Sequence, residues 1–221
     1  MNTTMEEEME CRAKKLGISI EKGEMELLKE FQEITQKTNF RFNLVSRKGS
    51  PKMVIINQIM DSLLIQPIVK MVRPKRALDI GSGGGFPGIP LSILNSQINF
   101  NFMDSSRKRF NHLLNVKIKL RLINSNPIHG RVEDLAKIPQ YRESYDLITA
   151  KSVANISTLV EWVQPLLKPK GVLVTTIGEG KAVELWELMA GRIGKGVQIR
   201  CLDGGVEEKR RNSLILVKQS S

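Results

Sequence analysis

Two periodicities divide the chain. Up to about residue 70, apolar positions recur every three or four residues; from Arg76 onward, short apolar runs alternate with helical stretches. Met5, Met9, Ala13 and Leu16 fall at i, i+4, i+8 and i+11 among Glu and Lys residues, which predicts an amphipathic helix over 4–17. Leu27, Leu28, Phe31 and Ile34 share one face of a second predicted helix, 22–37. Residues 39–44 read as a loop or short extended piece, and Pro51 opens a third helix carrying Val54, Ile55, Ile59, Leu63 and Leu64. The expected organisation is an N-terminal helical subdomain, 1–70, packed against a second unit, 71–221.

In that second unit the expected strands are 76–80, 98–103, 124–129, 145–150, 171–176, 198–202 and 214–218. Helical patterns fall at 88–94, 106–120, 156–167 and 181–193. Strand–helix alternation predicts a parallel sheet, and the missing helix between the last two strands predicts a C-terminal antiparallel hairpin. The fold class expected is therefore α/β and Rossmann-like: seven strands, mostly parallel, with the helical subdomain in front. No internal repeat interrupts this order.

One stretch concentrates the chemistry. Residues 77–90, ALDIGSGGGFPGIP, combine a short apolar run, four glycines within five residues and a proline-containing helix start. Glycine permits positive φ and a close backbone approach to a ligand, and a helix start presents free N–H groups to a nucleotide-like ligand. Asp104, about twenty residues on at the end of the second strand, suits ribose hydroxyls. Two registers compete. Gly83, Gly85 and Gly88 satisfy G-x-G-x-x-G, a dinucleotide pattern; Asp79 followed by Gly81, Gly83 and Gly85 satisfies the acidic-residue-then-G-x-G-x-G pattern of S-adenosylmethionine-dependent methyltransferases. A carboxylate beside the loop suits a cationic cofactor and repels a pyrophosphate. With the seven-strand count, this favours a class I methyltransferase. The Val132–Glu133 backbone is placed to pair with adenine, and Lys151, ending the fourth strand, to meet substrate or a carboxylate.

Composition adds a partner. The net charge of +11 points to a polyanion, with nucleic acid foremost. Cys11 and Cys201 stand apart with no metal spacing, as expected of free thiols in a reducing cytosol. The acidic start, 1–10, has neither secretory nor transit character, and no apolar run in the sequence has membrane-spanning length. A cytoplasmic monomer without metal is expected. His112 reads as a surface or packing residue, His129 as structural, Trp162 and Trp186 as core. Lys117, Lys119 and Arg121 read as a solvated helix end.

The segment 79–91, DIGSGGGFPGIPL, closely resembles the cofactor loop of the glucose-inhibited division protein B family, bacterial enzymes that methylate guanine N7 in 16S ribosomal RNA. Other stretches resemble that family in order and spacing: Asn43-Leu44, Asp61-Ser62-Leu63, residues 103–109, Arg131-Val132-Glu133, residues 150–154 and the turn at 166–171. The resemblance spans about residues 39–217. It implies cofactor contacts at Gly81, Phe86, Val132, Glu133 and Lys151, joining Asp79, Gly83, Gly85 and Asp104. It also implies a basic active-site residue at Arg131, faced by Asn43. Arg41, Arg47, Lys48, Lys181, Lys209, Arg210 and Arg211, with Arg131 and Lys151, are the expected RNA contacts.

Three positions depart from the family pattern. Lys151 stands where Arg is usual and lacks its planar fork; Asn57-Gln58 stands where His is usual; residues 177–180 read Ile-Gly-Glu-Gly where Lys-Gly is usual. The rival readings are a methyltransferase acting on another RNA or small substrate, a non-catalytic RNA-binding assembly factor, and a nicotinamide-dependent oxidoreductase.

Overall fold

The computed structural model describes residues 4–45, 49–151, 153–177, 197–204 and 212–219. Four helices come first: α1 (Met5–Lys15), α2 (Lys22–Asn39), α3 (Pro51–Leu63) and α4 (Gln66–Val72). Their apolar faces bury Met9 and Ala13, then Leu28, Phe31 and Ile34, then Ile55, Ile56, Ile59 and Leu63. The periodicity read from the sequence is thus the buried stripe of each helix. Contrary to the expectation from the apolar runs, the stretch Pro51–Val72 is long and apolar enough to cross a membrane by length and composition. Two short runs become one span because the chain stays near-helical across Leu64 and Ile65. In this structure 61% of its most apolar window is buried against the rest of the chain.

The sheet then alternates with helices: β1 (Arg76–Ile80), α5 (Gly88–Leu94), β2 (Asn99–Asp104), α6 (Arg107–Lys119), β3 (Ser125–His129), α7 (Val132–Leu135), β4 (Tyr145–Lys151), α8 (Ile156–Val163), β5 (Leu167–Ile177), β6 (Val197–Gly204) and β7 (Asn212–Gln219). Among the described residues, seven strands form one sheet in the order β3-β2-β1-β4-β5-β7-β6. Strands β1 to β5 are parallel, and β7 runs antiparallel to both β5 and β6. This is the expected hairpin, with its second strand on the inside. The predicted helix over 156–167 stops at Val163, and β5 begins at Leu167. Pro165 explains the early stop, because proline has no N–H to donate to the carbonyl four residues back and its ring crowds that carbonyl, although Gln164 itself keeps helical angles. The predicted helix over 181–193, Trp186 included, lies outside the described residues.

Chain order reverses between β1 and its neighbours β2 and β4, and ligands of such sheets bind in the crevice at the carboxyl ends there. Side-chain alternation in β1 sends Leu78 and Ile80 into the core shared with α7 and α8, and Ala77 into the opposite core. That second core is shared by α1 to α6. The four N-terminal helices therefore cover the sheet face that also carries α5, and they arrive beside the switch point.

Candidate active site

The glycine loop follows directly from β1. The Ser82 N–H donates to the Met103 carbonyl at 2.9 Å, and the Ser82 carbonyl accepts from the N–H groups of Gly85 and Phe86 at 2.7 and 3.0 Å. This tight path needs φ of +64° at Gly81, +56° at Gly83 and +97° at Gly85, values that residues with a Cβ reach at a cost. At Gly88 the constraint is space: a Cβ would lie 2.7 Å from Asp79 Oδ2 and 2.7 Å from Phe102 Cδ1.

Two titratable groups hold the loop from beneath. Asp79 is fully buried; its Oδ2 accepts from the Gly88 N–H at 3.1 Å and its Oδ1 from the Thr149 hydroxyl at 2.8 Å. Burial pushes its carboxyl up to about 6, against the hydrogen bonds and the nearby charge of Lys151. Asp79 therefore lines neither cleft described below; it ties β1 to the start of α5 and to β4. His112 of α6 is also buried, with Nε2 3.3 Å from the Gly84 carbonyl. Burial lowers its pKa to about 4, so the ring is neutral and Nε2–H donates. Of the two roles read from the sequence, surface or packing, the structure shows packing.

On one side of the loop lies a cleft of about 270 Å³, lined by Gly81, Asp104, Arg109, Arg131, Val132, Glu133 and Trp162, among others. Asp104 is 2% exposed and accepts from the Gly83 N–H at 2.9 Å and the Ser106 N–H at 2.8 Å. The Arg109 guanidinium stands 3.8 Å from the same carboxylate. An ionised carboxylate accepts about four hydrogen bonds, so Asp104 keeps capacity for ligand hydroxyls. His129 is exposed and sits 3.2 Å from the Ser105 carbonyl, outside the cleft lining.

On the other side lies a cleft of about 300 Å³, lined by Leu44, Val45, Gln58, Gly81 to Gly84, Phe86, Arg109 and Lys151. Lys151 ends β4 and donates from Nζ to Gln58 Oε1 at 2.8 Å; Asp61 Oδ2 is 3.5 Å away. Burial lowers the pKa of Lys151, partly offset by Asp61 and Asp79. Phe86 packs on Phe31 of α2 with ring centroids 5.2 Å apart, so the loop and the N-terminal helices hold each other.

The structure thus gathers Gly81, Gly83, Phe86, Asp104, Val132, Glu133 and Lys151 around one loop. It separates Arg131 from Lys151, one in each cleft. Asn43 is exposed and lines neither cleft, so the expected facing of Asn43 and Arg131 is not what the structure shows. The reason is a residue the sequence reading missed. Buried Asn39 accepts the N–H groups of Leu44 and Val45 at 2.8 and 3.0 Å, and so turns those residues, rather than Asn43, toward the cleft. No motif marks Asn39. Arg109, which lines both clefts, was also missed, although it lies in the family-like segment 103–109. Arg41 is exposed. Arg47, Lys48, Lys181, Lys209, Arg210, Arg211 and the departure at Gly178 lie outside the described residues. Among the described residues, no cluster of three His, Cys, Asp or Glu residues is arranged to hold a metal.

The two clefts adjoin at Gly81 and Arg109 and each approaches the small end of ligand pockets, about 300 Å³. A two-ended ligand matches them. The first offers carboxylates and backbone to a nucleoside, and the second offers a lysine beside open glycine backbone.

Known proteins share this fold. Solved structures similar to it include an O-methyltransferase from Bacillus cereus in complex with SAH (TM-score 0.62, 20% identity, covering 86% of this chain and 91% of that one). Another is the O-methyltransferase TomG from Streptomyces achromogenes in complex with SAM (TM-score 0.63, 18% identity, 87% and 90% covered). These likenesses establish the fold. Sequence relatives are closer. Ribosomal RNA small subunit methyltransferase G of Desulfitobacterium hafniense (strain Y51) is 32% identical over 210 residues, covering 94% of this chain and 86% of that protein. The protein of the same name from Clostridium novyi (strain NT) is 30% identical over 199 residues, covering 86% and 79%. The sequence model described as rRNA small subunit methyltransferase G, GidB, matches residues 24–210. With 187 of its residues, the glycine loop among them, inside that match, the chain belongs to the rRNA small subunit methyltransferase G family.

Proposed function

We propose that this protein transfers the methyl group of S-adenosylmethionine to N7 of a guanine in 16S ribosomal RNA. Family membership supports the reaction class. The observation that carries the assignment to this site is the Gly81–Gly85 loop, tied to Asp104 through the Gly83 N–H and standing between a nucleoside-sized cleft and the Lys151 cleft.

The residues fit the cofactor by the chemistry of their donors and acceptors. Asp104 has spare acceptor capacity for ribose hydroxyls, Val132 and Glu133 border the place for adenine, and Gly81 to Gly84 leave the backbone open. When bound, S-adenosylmethionine supplies an electrophilic methyl on a sulfonium centre. Asp79 acts as a positioning residue that fixes the loop through Gly88. Guanine N7 carries an in-plane lone pair and no proton at neutral pH, so the protein need supply no general base. Its task is alignment and electrostatics: Arg131 at the first cleft, and Lys151, held by Gln58, at the second. We read residues 1–70 as the substrate-side wall, and the protein as a monomer acting in the cytoplasm, where ribosomal RNA is found.

The direct test incubates the protein with labelled S-adenosylmethionine and small-subunit RNA from a strain lacking this methylation, with an active relative in parallel. Label on guanine N7 is expected. Absence of label while the relative succeeds overturns the assignment, and label on a different RNA or small molecule identifies the rival substrate.

A further inference from the structure

Much of the molecule's charge sits on one helix. Between Asp104 and Glu133 the sequence holds seven Lys and Arg residues and no carboxylate. Six belong to α6 and the turn after it: Arg107, Lys108, Arg109, Lys117, Lys119 and Arg121. Among the described residues, only Arg109 of these six makes an ion pair, with Asp104. Lys117 is half-buried and the other five are exposed.

Stability accounts for Lys117 and Lys119, which lie in the last turn where the helix dipole favours cations, but not for the other four. Arg107, Lys108 and Arg109 occupy the first turn of α6, which has no acidic residue; there the helix dipole disfavours cations. Arg121 follows the helix at φ 51°, a left-handed position that glycine fills most easily. Its N–H closes the helix on the Ile118 carbonyl at 3.2 Å, a bond glycine would make equally. At both ends of α6, therefore, a cation stands where folding alone would select another residue.

The helix also has a direction. It leaves β2 at the carboxyl edge, where Arg109 lines both clefts, and runs back to the opposite edge, where β3 begins. Thirteen residues rise about 20 Å. We propose that the outer face of α6 is a docking track for the sugar–phosphate backbone of the RNA substrate, leading from Arg121 to the rim of the clefts at Arg109. This rests on the reading of the protein as a ribosomal RNA methyltransferase. Lys117, Lys119 and Arg121, which read in the sequence as a solvated helix end, become its distal contacts. Exposed Leu114 and Ile118 of α6 (38% and 66%) and Ile123 in the turn beyond it (96%) would also suit an acidic protein helix or an anionic membrane. Cations at both ends of α6, with Arg109 in the lining of both clefts, favour RNA over both, the two clusters being separated by the uncharged residues 110–116.

The test uses the full chain with Lys117→Gln, Lys119→Gln and Arg121→Gly combined; none of the three lines a cleft. Arg121→Gly alone should raise Tm, which separates loss of binding from loss of fold. With a 16S RNA transcript, the slope of log affinity against log salt should fall by about 2, and KM for RNA should rise about tenfold or more. S-adenosylmethionine affinity and kcat at saturating RNA should not change. An unchanged slope and KM overturn the track. So does unchanged RNA binding with reduced binding to phosphatidylserine vesicles, or to small-subunit proteins freed of RNA. If the unmodified protein binds the transcript without methylating it, while a slope difference persists in the triple variant, the functional reading fails and the track stands.

Discussion

The two clefts meet at one glycine loop but are built from different distances along the chain. The Asp104 cleft is closed by contacts such as Gly83 to Asp104, 21 residues apart. The Lys151 cleft depends on Lys151 and Gln58, 93 residues apart, and on Leu44 and Val45, held by Asn39. The first is a product of consecutive strand–helix units and comes with the sheet. The second exists because α1 to α4 dock on one face of that sheet through a shared core. The Asp104 cleft can therefore be fixed by the strand–helix units of the sheet, while the Lys151 cleft is set by the packed N-terminal helices.

The largest expected effect breaks the glycine loop, through the residue that lines the Lys151 cleft and is tied to Asp104 of the other. Gly83→Val puts a β-branched residue at φ +56°, where such side chains are strongly disfavoured. S-adenosylmethionine binding should be abolished while circular dichroism still reports a folded protein; unchanged affinity in calorimetry would refute the placement of the loop. Asp104→Ala comes next and should act chiefly on the first cleft, reaching the second through Gly83 and Arg109. It leaves the N–H groups of Gly83 and Ser106 without acceptors, and at about 3 kcal/mol in total the cofactor should bind roughly a hundredfold more weakly. Gln58→Ala acts on the second cleft. It frees Lys151 at a cost of about 1 kcal/mol, so kcat should fall about fivefold with less than a twofold change in cofactor affinity. Should affinity fall as much as kcat, the two clefts are not separable in the way proposed.

The smallest net effect, in the unmodified protein, concerns the loop's two supports. The Asp79 carboxyl is raised from 3.8 to about 6. Its contribution to stability is full below pH 3.8 and is lost as pH rises through 6. The His112 ring is lowered from 6.5 to about 4. Its contribution is full above pH 6.5 and is lost as pH falls through 4. Each amounts to about 3 kcal/mol, with opposite slopes over nearly one window. In the unmodified protein the pair should nearly cancel between pH 4 and 6.5. Chemical denaturation of His112→Gln should show stability falling as pH rises across that window. The same flat profile in both proteins would mean that these two groups are not perturbed as described.

Legibility follows the same division. β1 and α5 were placed to the residue, because short apolar runs and proline–glycine punctuation mark those boundaries directly. The hairpin at β6 and β7 was legible from the absence of a helix between two apolar runs. The end of α8 was misplaced by four residues because apolar content was followed past Pro165. In the site, Gly81, Gly83, Asp104, Val132 and Glu133 were legible because a strand-end position and a local conformation define them. Asn39 and Arg109 were not, since nothing local distinguishes a surface arginine or a helix-terminal asparagine from one that borders a cleft.

The sequence by itself determined the glycine loop, the strand ends around it and the kind of ligand they suit. Positive φ, side-chain alternation and charge at a strand end are properties of a few neighbouring residues. Only the tertiary structure decided that Asp79 turns inward to Gly88, that Asn43 stands outside while Leu44 and Val45 line the cleft, and that α3 reaches Lys151. Those outcomes depend on which face of the sheet the N-terminal helices cover. That choice is made by the sum of many apolar contacts between distant segments, none of which is visible in any single stretch of the chain.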